Sequence, residues 1–230
     1  MKLLREGLIV LTLSTIVVDE IYSQAVGGYG SPQSIQDVLD PTYQNTDAFY
    51  DKTYSDIKGS AYFFDDWVEG TILTEGQNFV NDVQLKYDVY SDALIYKIKS
   101  NSKEVPRKII SEFTLIKDGI HYRFLYFDNQ GYVQDLASSS GLELFLKHKK
   151  EVKYAEPATG YNVGSTEDKF VDNLKLYFSL NDQEIKEFPN KKKDRYQVFD
   201  SILPNSKKWF KEKKLNIKKT DDLIIALGSI

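Results

Sequence analysis

Two histidines are the first candidates for chemistry, because an imidazole can act as a general base near neutral pH. His121 lies in the alternating aromatic stretch 119–127, on the same side as Arg123. His148 lies in the charged run 147–151, which we interpret as a turn. Neither has further ligands at metal-binding spacing, so we interpret both as structural and predict no metal site.

Three other short segments resemble sites only superficially. The run Ser138-Ser-Ser-Gly141 lacks the strand–turn–helix context of a nucleophilic serine. Asp65 and Asp66 lie beside Trp67 and could bind a cation or a sugar, but a turn is the simpler interpretation. Asp128-Asn-Gln-Gly131 begins like a calcium loop without its remaining ligands, which indicates a hairpin turn. Because the chain also has no cysteine, we predict no catalytic residue, no cofactor and no enzymatic activity.

One aromatic strand supplies a candidate ligand site. Tyr122, Phe124 and Tyr126 alternate on one face, and Leu125 and Phe127 lie on the other. A strand with two apolar faces is typical of the centre of a sheet, where other elements cover both of its faces. We expect the C-terminal helices to be one cover, and the other to be the opposite wall of a curved sheet or a hydrophobic ligand groove. Tyr122, Phe124 and Tyr126 are therefore the candidate groove residues.

These residues must be positioned by a chain that is β-rich first and helical last. The 230 residues are 41% hydrophobic and 28% charged, as in globular proteins. Apolar alternation in 83–89 and 94–98 predicts an antiparallel hairpin, and Lys117-Asp118-Gly119 predicts the turn of the next one. Helical patterns follow at about 191–203, after Ser206 and after Thr220. We predict an α+β fold, an antiparallel β-rich curved sheet, sandwich or open barrel with a C-terminal helical subdomain.

The N-terminus carries the features of a secretory signal peptide. Lys2 and Arg5 precede the apolar run 8–18, which is too short to span a bilayer, and Ser23 suits the last position before cleavage. The alternative is a buried N-terminal strand or helix. We predict export to the periplasm or outer surface of a Gram-negative bacterium. The expected organisation is a signal peptide at 1–23, a flexible segment at 24–57, an antiparallel β domain at 58–182, and helices packed on it at 183–230.

Charge changes at the same boundary as the secondary structure. Residues 186–230 hold 12 of the 30 basic side chains but only 6 of the 34 acidic ones. We interpret this basic tail as a solvated helical face that complements an acidic β region. The alternative is an arm that binds anionic lipid or lipopolysaccharide. Export, and the lack of interleaved aromatic and basic residues, argue against a nucleic-acid partner.

Two segments and the C-terminal tail resemble those of a known group of proteins. The stretch 59–72, which begins Gly59-Ser-Ala-Tyr, is followed by the hairpin 83–94 and by a Lys-rich tail from Lys207. Together, over about 59–227, they resemble a group of uncharacterised secreted proteins of Bacteroidetes-type bacteria. Those proteins share a Gly-Ser-x-Tyr-Leu start and a Leu-Arg-Tyr-Asn hairpin, where this chain has a Phe for the Leu and Lys86 for the Arg. The group has no established catalytic residues, so the resemblance implies only export and an envelope or surface role.

Three functions are consistent with these observations. The first is an exported, non-catalytic envelope or surface protein that acts as a binding or scaffold module for an unknown envelope protein. The alternative is a carrier of an apolar ligand such as lipid, held in a groove of the curved sheet. The third is a glycan hydrolase, which would need two carboxylates about 5–10 Å apart in a cleft.

Overall fold

The computed structural model describes residues 54–76, 78–99, 101–155 and 167–230. The expected signal peptide at 1–23 and all but the last four residues of the expected flexible segment at 24–57 lie outside these ranges. Both therefore stay predictions.

Ten strands and three helices follow one another along the described chain. The strands are β1 (Val68–Thr74), β2 (Phe79–Asp88), β3 (Ala93–Ile98), β4 (Asn101–Glu104), β5 (Ile110–Lys117), β6 (Ile120–Phe127), β7 (Gly131–Ser139), β8 (Leu142–Lys153), β9 (Lys169–Leu180) and β10 (Lys186–Glu187). The helices are α1 (Lys192–Asp200), α2 (Ser206–Glu212) and α3 (Thr220–Leu227). The described chain is therefore rich in antiparallel strands and also contains three helices, as the predicted fold class requires.

All ten strands form one antiparallel sheet in the order β10-β9-β8-β7-β6-β5-β1-β2-β3-β4. The two end strands do not pair with each other, so the sheet is open. The predicted hairpin of β2 and β3 is present, with Tyr87 opposite Leu94. The hairpin of β5 and β6 turns at Asp118 and Gly119, which both have a positive φ, as a two-residue turn of this kind requires.

The sheet is curved, because side chains of distant strands touch. Tyr87 on β2 and Tyr132 on β7 lie four strand positions apart, which is about 19 Å in a flat sheet. Their ring centroids are only 5.9 Å apart. Phe113 and Phe124 stack between them at 4.8 Å. This side of the curved sheet is therefore filled by a cluster of packed rings.

The C-terminal helices build a second buried cluster on another part of the sheet. It unites Leu142 and Leu144 of β8 with residues of all three helices, including Phe199, Phe210 and Leu223. We expected the helices to cover the strand Tyr122–Phe127, and this expectation is wrong. Phe124 belongs to the ring cluster, while Leu125 and Phe127 join a third, small cluster around Val133, Phe145 and Tyr177.

The segment that precedes β1 joins two distant parts of the sheet. Lys58 pairs with Lys169 at the start of β9, and Tyr62 pairs with Asp88 at the end of β2. Backbone hydrogen bonds from Phe63 to Tyr87 and from Val89 to Ala61 flank the pairing of Tyr62 with Asp88. No helix in the described ranges is both long and apolar enough to cross a bilayer.

Candidate functional site

The three predicted groove residues lie on the inner side of the curved sheet, but they pack against protein. Phe124 has no exposed surface and contacts the rings of Phe113 and Tyr87. Tyr122 and Tyr126 are half-buried, and Tyr122 contacts the ring of Phe63. Filled ring packing surrounds Phe124, and ligand binding at these three residues stays a prediction.

The two histidines lie on opposite faces of the sheet. His121 is exposed on β6. We expected a charged turn around His148. In the structure this residue lies within β8, which pairs with β9 over twelve residues without interruption. Its Nε2 lies 2.7 Å from Gln134 Oε1, and its ring packs edge-on against Phe63. Burial lowers the pKa of His148 to about 4, so this imidazole is neutral at neutral pH.

The remaining sequence candidates take structural positions. Ser138 and Ser139 end β7, and the turn Ser140-Gly141 joins it to β8. Asp66 is exposed and lies 3.4 Å from Lys117, and the carbonyl oxygen of Asp65 accepts a hydrogen bond from Lys86. Among the residues that the structure describes, no three His, Asp or Glu side chains are grouped to hold a metal ion.

A carboxylate pair that the sequence did not reveal lies on the outer face of the sheet. Arg123 contacts Glu112 at 2.5 Å and Asp135 at 3.0 Å. Burial raises the pKa of Asp135, and the attraction of Arg123 only partly opposes this. One guanidinium thus holds both carboxylates, which is an ion-pair network of a kind common on sheets.

The candidate binding site is a cleft between the sheet and the C-terminal helices. Its volume is about 600 Å³, within the range of small-molecule sites. Leu136, Leu146, Leu174 and Leu176 supply an apolar floor from β7, β8 and β9. Leu174 and Leu176 share one face of β9 because alternate residues of a strand do so, and Leu176 packs against the helical cluster. Leu174 remains 55% exposed, so apolar surface at this cleft is open to solvent.

The rest of the cleft lining contributes both apolar and polar side chains from β9, from the β10 region and from the helices. Phe188 and Ile224 extend the apolar surface, and Asn173, Asn190 and Thr220 add neutral polar groups. The charged lining residues are Lys175, Glu187, Arg195 and Asp221. Lys175 and Glu187 lie 3.7 Å apart and neutralise each other.

Arg195 is held in place by the backbone. Its Nε donates to the carbonyl oxygen of Pro189, its Nη1 donates to that of Ile217 at 3.0 Å, and its guanidinium lies 5.0 Å from the centre of the Phe188 ring. Burial lowers the pKa of Arg195, although a guanidinium stays protonated at neutral pH. A fixed cation beside an apolar floor can bind and orient a ligand, and the cleft lining contains no histidine to act as a base.

Sequence patterns did not predict this cleft. Alternation of Leu174 and Leu176 with Asn173 and Lys175 marks a strand with one apolar face. It does not indicate that residues some twenty to fifty positions later would form the opposite wall.

Comparison with family models, with curated proteins and with solved structures finds no match for this chain. The resemblance to secreted Bacteroidetes-type proteins therefore stays a hypothesis.

Proposed function

We propose that this protein is an exported, non-catalytic binding protein of the cell envelope, and that the cleft between the sheet and the helices holds an apolar ligand. The observation that carries the proposal is the apolar floor of the cleft, where Leu174 stays 55% exposed beside a space of about 600 Å³. Isolated exposed leucines are ordinary, but one that borders a leucine-lined cleft is typical of a ligand site.

The ligand then binds outside the ring cluster, not at Tyr122, Phe124 and Tyr126. In this proposal the part of the sheet around the ring cluster is an open barrel with a filled interior. Contact between Tyr87 and Tyr132 across four strand positions supports this. A barrel with a filled interior would hold the strands rigidly. The ligand would then bind in the cleft between the sheet and the C-terminal helices.

A non-catalytic role is supported by the state of the chemically capable residues. His148 is half-buried and neutral at neutral pH, and Glu112 and Asp135 both bind Arg123. A glycan hydrolase needs one protonated and one ionised carboxyl group facing a shared substrate. Two carboxylates that share one guanidinium are poorly arranged for that task.

Binding of N-phenyl-1-naphthylamine, an uncharged probe that fluoresces in apolar surroundings, tests the proposal on the full chain. We expect saturable binding at one site. Leu174→Glu should weaken binding at least about tenfold, because a charge would enter the apolar floor. Ile120→Glu is the matched control, since Ile120 is a similarly exposed aliphatic residue on β6 outside the cleft lining.

Two results would contradict the proposal. One is probe binding that does not saturate, and the other is equal probe affinity of the Leu174→Glu and Ile120→Glu variants. A scaffold that binds only another envelope protein would give the first result and would be recovered with that protein after cross-linking.

A further inference from the structure

Arg195 is an unusual cation for the surface of this molecule. Most described lysines of the C-terminal region, such as Lys192 and Lys207, are exposed to solvent. Arg195 is instead half-buried in the wall of the cleft, and among the described residues no carboxylate lies within ion-pair distance of it. Its position depends on the backbone carbonyls of Pro189 and Ile217.

The hydrogen-bonding capacity of Arg195 is only partly used by the protein. A guanidinium has five N–H donors, and the two carbonyl oxygens accept from two of them. Partial burial removes water from a cation, and an anion bound beside it restores the lost interaction. The planar group also suits a carboxylate, which it can bind through two parallel hydrogen bonds.

We propose that the ligand of the cleft is a single-chain amphiphile with one carboxylate, whose chain lies on the floor of Leu146, Leu174 and Leu176 and whose carboxylate binds Arg195. This inference rests on the proposed function, because it names the ligand class of the same cleft. Fixed polar contacts at one end and apolar contact along the rest would orient the molecule.

The other charges of the cleft favour a head group with a single negative charge. Lys175 is already paired with Glu187 and offers little further attraction. Asp221 also lines the cleft, on the exposed first turn of α3. Its negative charge opposes a second charge on the ligand, so a carboxylate fits better than a phosphate monoester.

Displacement of N-phenyl-1-naphthylamine from the full chain by dodecanoate and by dodecan-1-ol, below their aggregation concentrations, tests the inference. The two molecules share an alkyl chain and differ in the head group. We expect the protein to bind dodecanoate about tenfold more tightly, as for one charge-assisted interaction. Arg195→Gln should abolish this preference while dodecan-1-ol still binds. Lys193→Gln, on the exposed side of the same helix, should keep it.

Asp221→Asn supplies a second test that leaves the contacts of Arg195 unchanged. It should tighten binding of dodecanoate severalfold and leave that of dodecan-1-ol unchanged. Equal binding of the two molecules by the unmodified protein would overturn the carboxylate inference and leave the apolar-ligand function standing. Failure of the neutral probe itself to bind would overturn both.

Discussion

Lys147 on β8 and Asp92 in the turn between β2 and β3 form an ion pair of 2.9 Å, although five strand positions separate β8 from β2 in the sheet. The hydroxyl of Tyr87 donates to the same carboxylate oxygen at 2.6 Å. Lys147 also donates to the carbonyl oxygen of Tyr132 at 3.0 Å. Because both charged side chains are largely buried, this contact fastens the curved sheet across its open side.

Asp92→Asn tests the contribution of that contact. Asn tolerates the positive φ of this position, so the substitution removes the charge with little change in the backbone. It leaves Lys147 with the carbonyl oxygen of Tyr132 but without its charged partner, and we expect the free energy of unfolding to fall by about 1–3 kcal/mol. Urea unfolding measures the change. Asp128→Asn in the exposed turn after β6 is the control, and equal losses in both variants would contradict the assignment.

The half-buried His148 predicts a specific pH dependence of stability. Its pKa is about 4 in the folded protein and about 6.5 in the unfolded chain, so the unfolded chain binds the proton more tightly. The stability that the neutral imidazole of His148 contributes is therefore fully present above pH 6.5 and is lost as the pH falls from 6.5 to about 4. The free energy of unfolding should decrease by roughly 3 kcal/mol over this range for that reason.

His148→Gln keeps a side-chain donor toward Gln134 and removes the titrating group. Relative to this variant, the unmodified protein should lose roughly 3 kcal/mol of stability between pH 7 and pH 4. Other titrating groups act equally on both proteins. His121→Gln, at an exposed position, should change stability and function little and keep the pH dependence. A constant difference between the unmodified protein and His148→Gln at all pH values would contradict the prediction.

Removal of residues 190–230 should unfold or aggregate the β region. The deletion would expose Leu142 and Leu144, which are fully buried beneath the helices. Each such side chain contributes roughly 1.5–3 kcal/mol, against a net stability of only about 5–15 kcal/mol for a typical domain. Circular dichroism during heating shows whether a cooperative transition remains.

Exchange of seven exposed tail lysines for glutamine is the matched control for the deletion. The positions are Lys191, Lys192, Lys193, Lys207, Lys208, Lys213 and Lys214, all exposed. The fold should survive, because exposed charges contribute little to stability. If the truncated chain instead melts unchanged and only the glutamine variant loses attachment to envelope membranes, the tail is a separate anion-binding arm.

Gly70 should not tolerate a side chain. It is buried in β1, where a Cβ would overlap the carbonyl oxygen of Thr114 and the side chain of Leu85. Because backbone atoms in the middle of a sheet cannot move aside, Gly70→Ala should cost about 1–3 kcal/mol. Gly76→Ala is the control, since a Cβ there makes only ordinary contacts. Thermal melts that are equal for the two variants would contradict this account.

Processing of the N-terminus tests the export proposal. If residues 1–23 are a signal peptide, mass spectrometry of the protein from its native host should find a chain that begins near Gln24. Intact Met1 on protein recovered from the cytoplasm would contradict export without affecting the cleft.

Local patterns predicted local structure well. The alternation in β2 and β3 and the Asp118-Gly119 turn indicated hairpins that the structure contains. The run around His148 was misinterpreted because its many lysines are typical of a turn. In the structure it continues β8, where Lys150 pairs with Asp172 across the strands at 3.1 Å.

Contacts between distant segments could not be predicted in this way. Apolar helix positions indicate that a helix is buried, but they do not specify which part of a sheet it covers. Arg195 belongs to a basic tail that we interpreted as a solvated face. Only the packing of α1 beside Phe188 makes it part of a cleft.

The short pairing of Lys58 with Lys169 has a consequence for the order of folding. Lys58 can pair only after β9, almost the last strand of the sheet, has formed, whereas Tyr62 needs only β2. The adjacent hairpins need no such delay, because their partners are neighbours along the chain. During synthesis, Lys58 would therefore remain without its partner strand until nearly the whole sheet has been made.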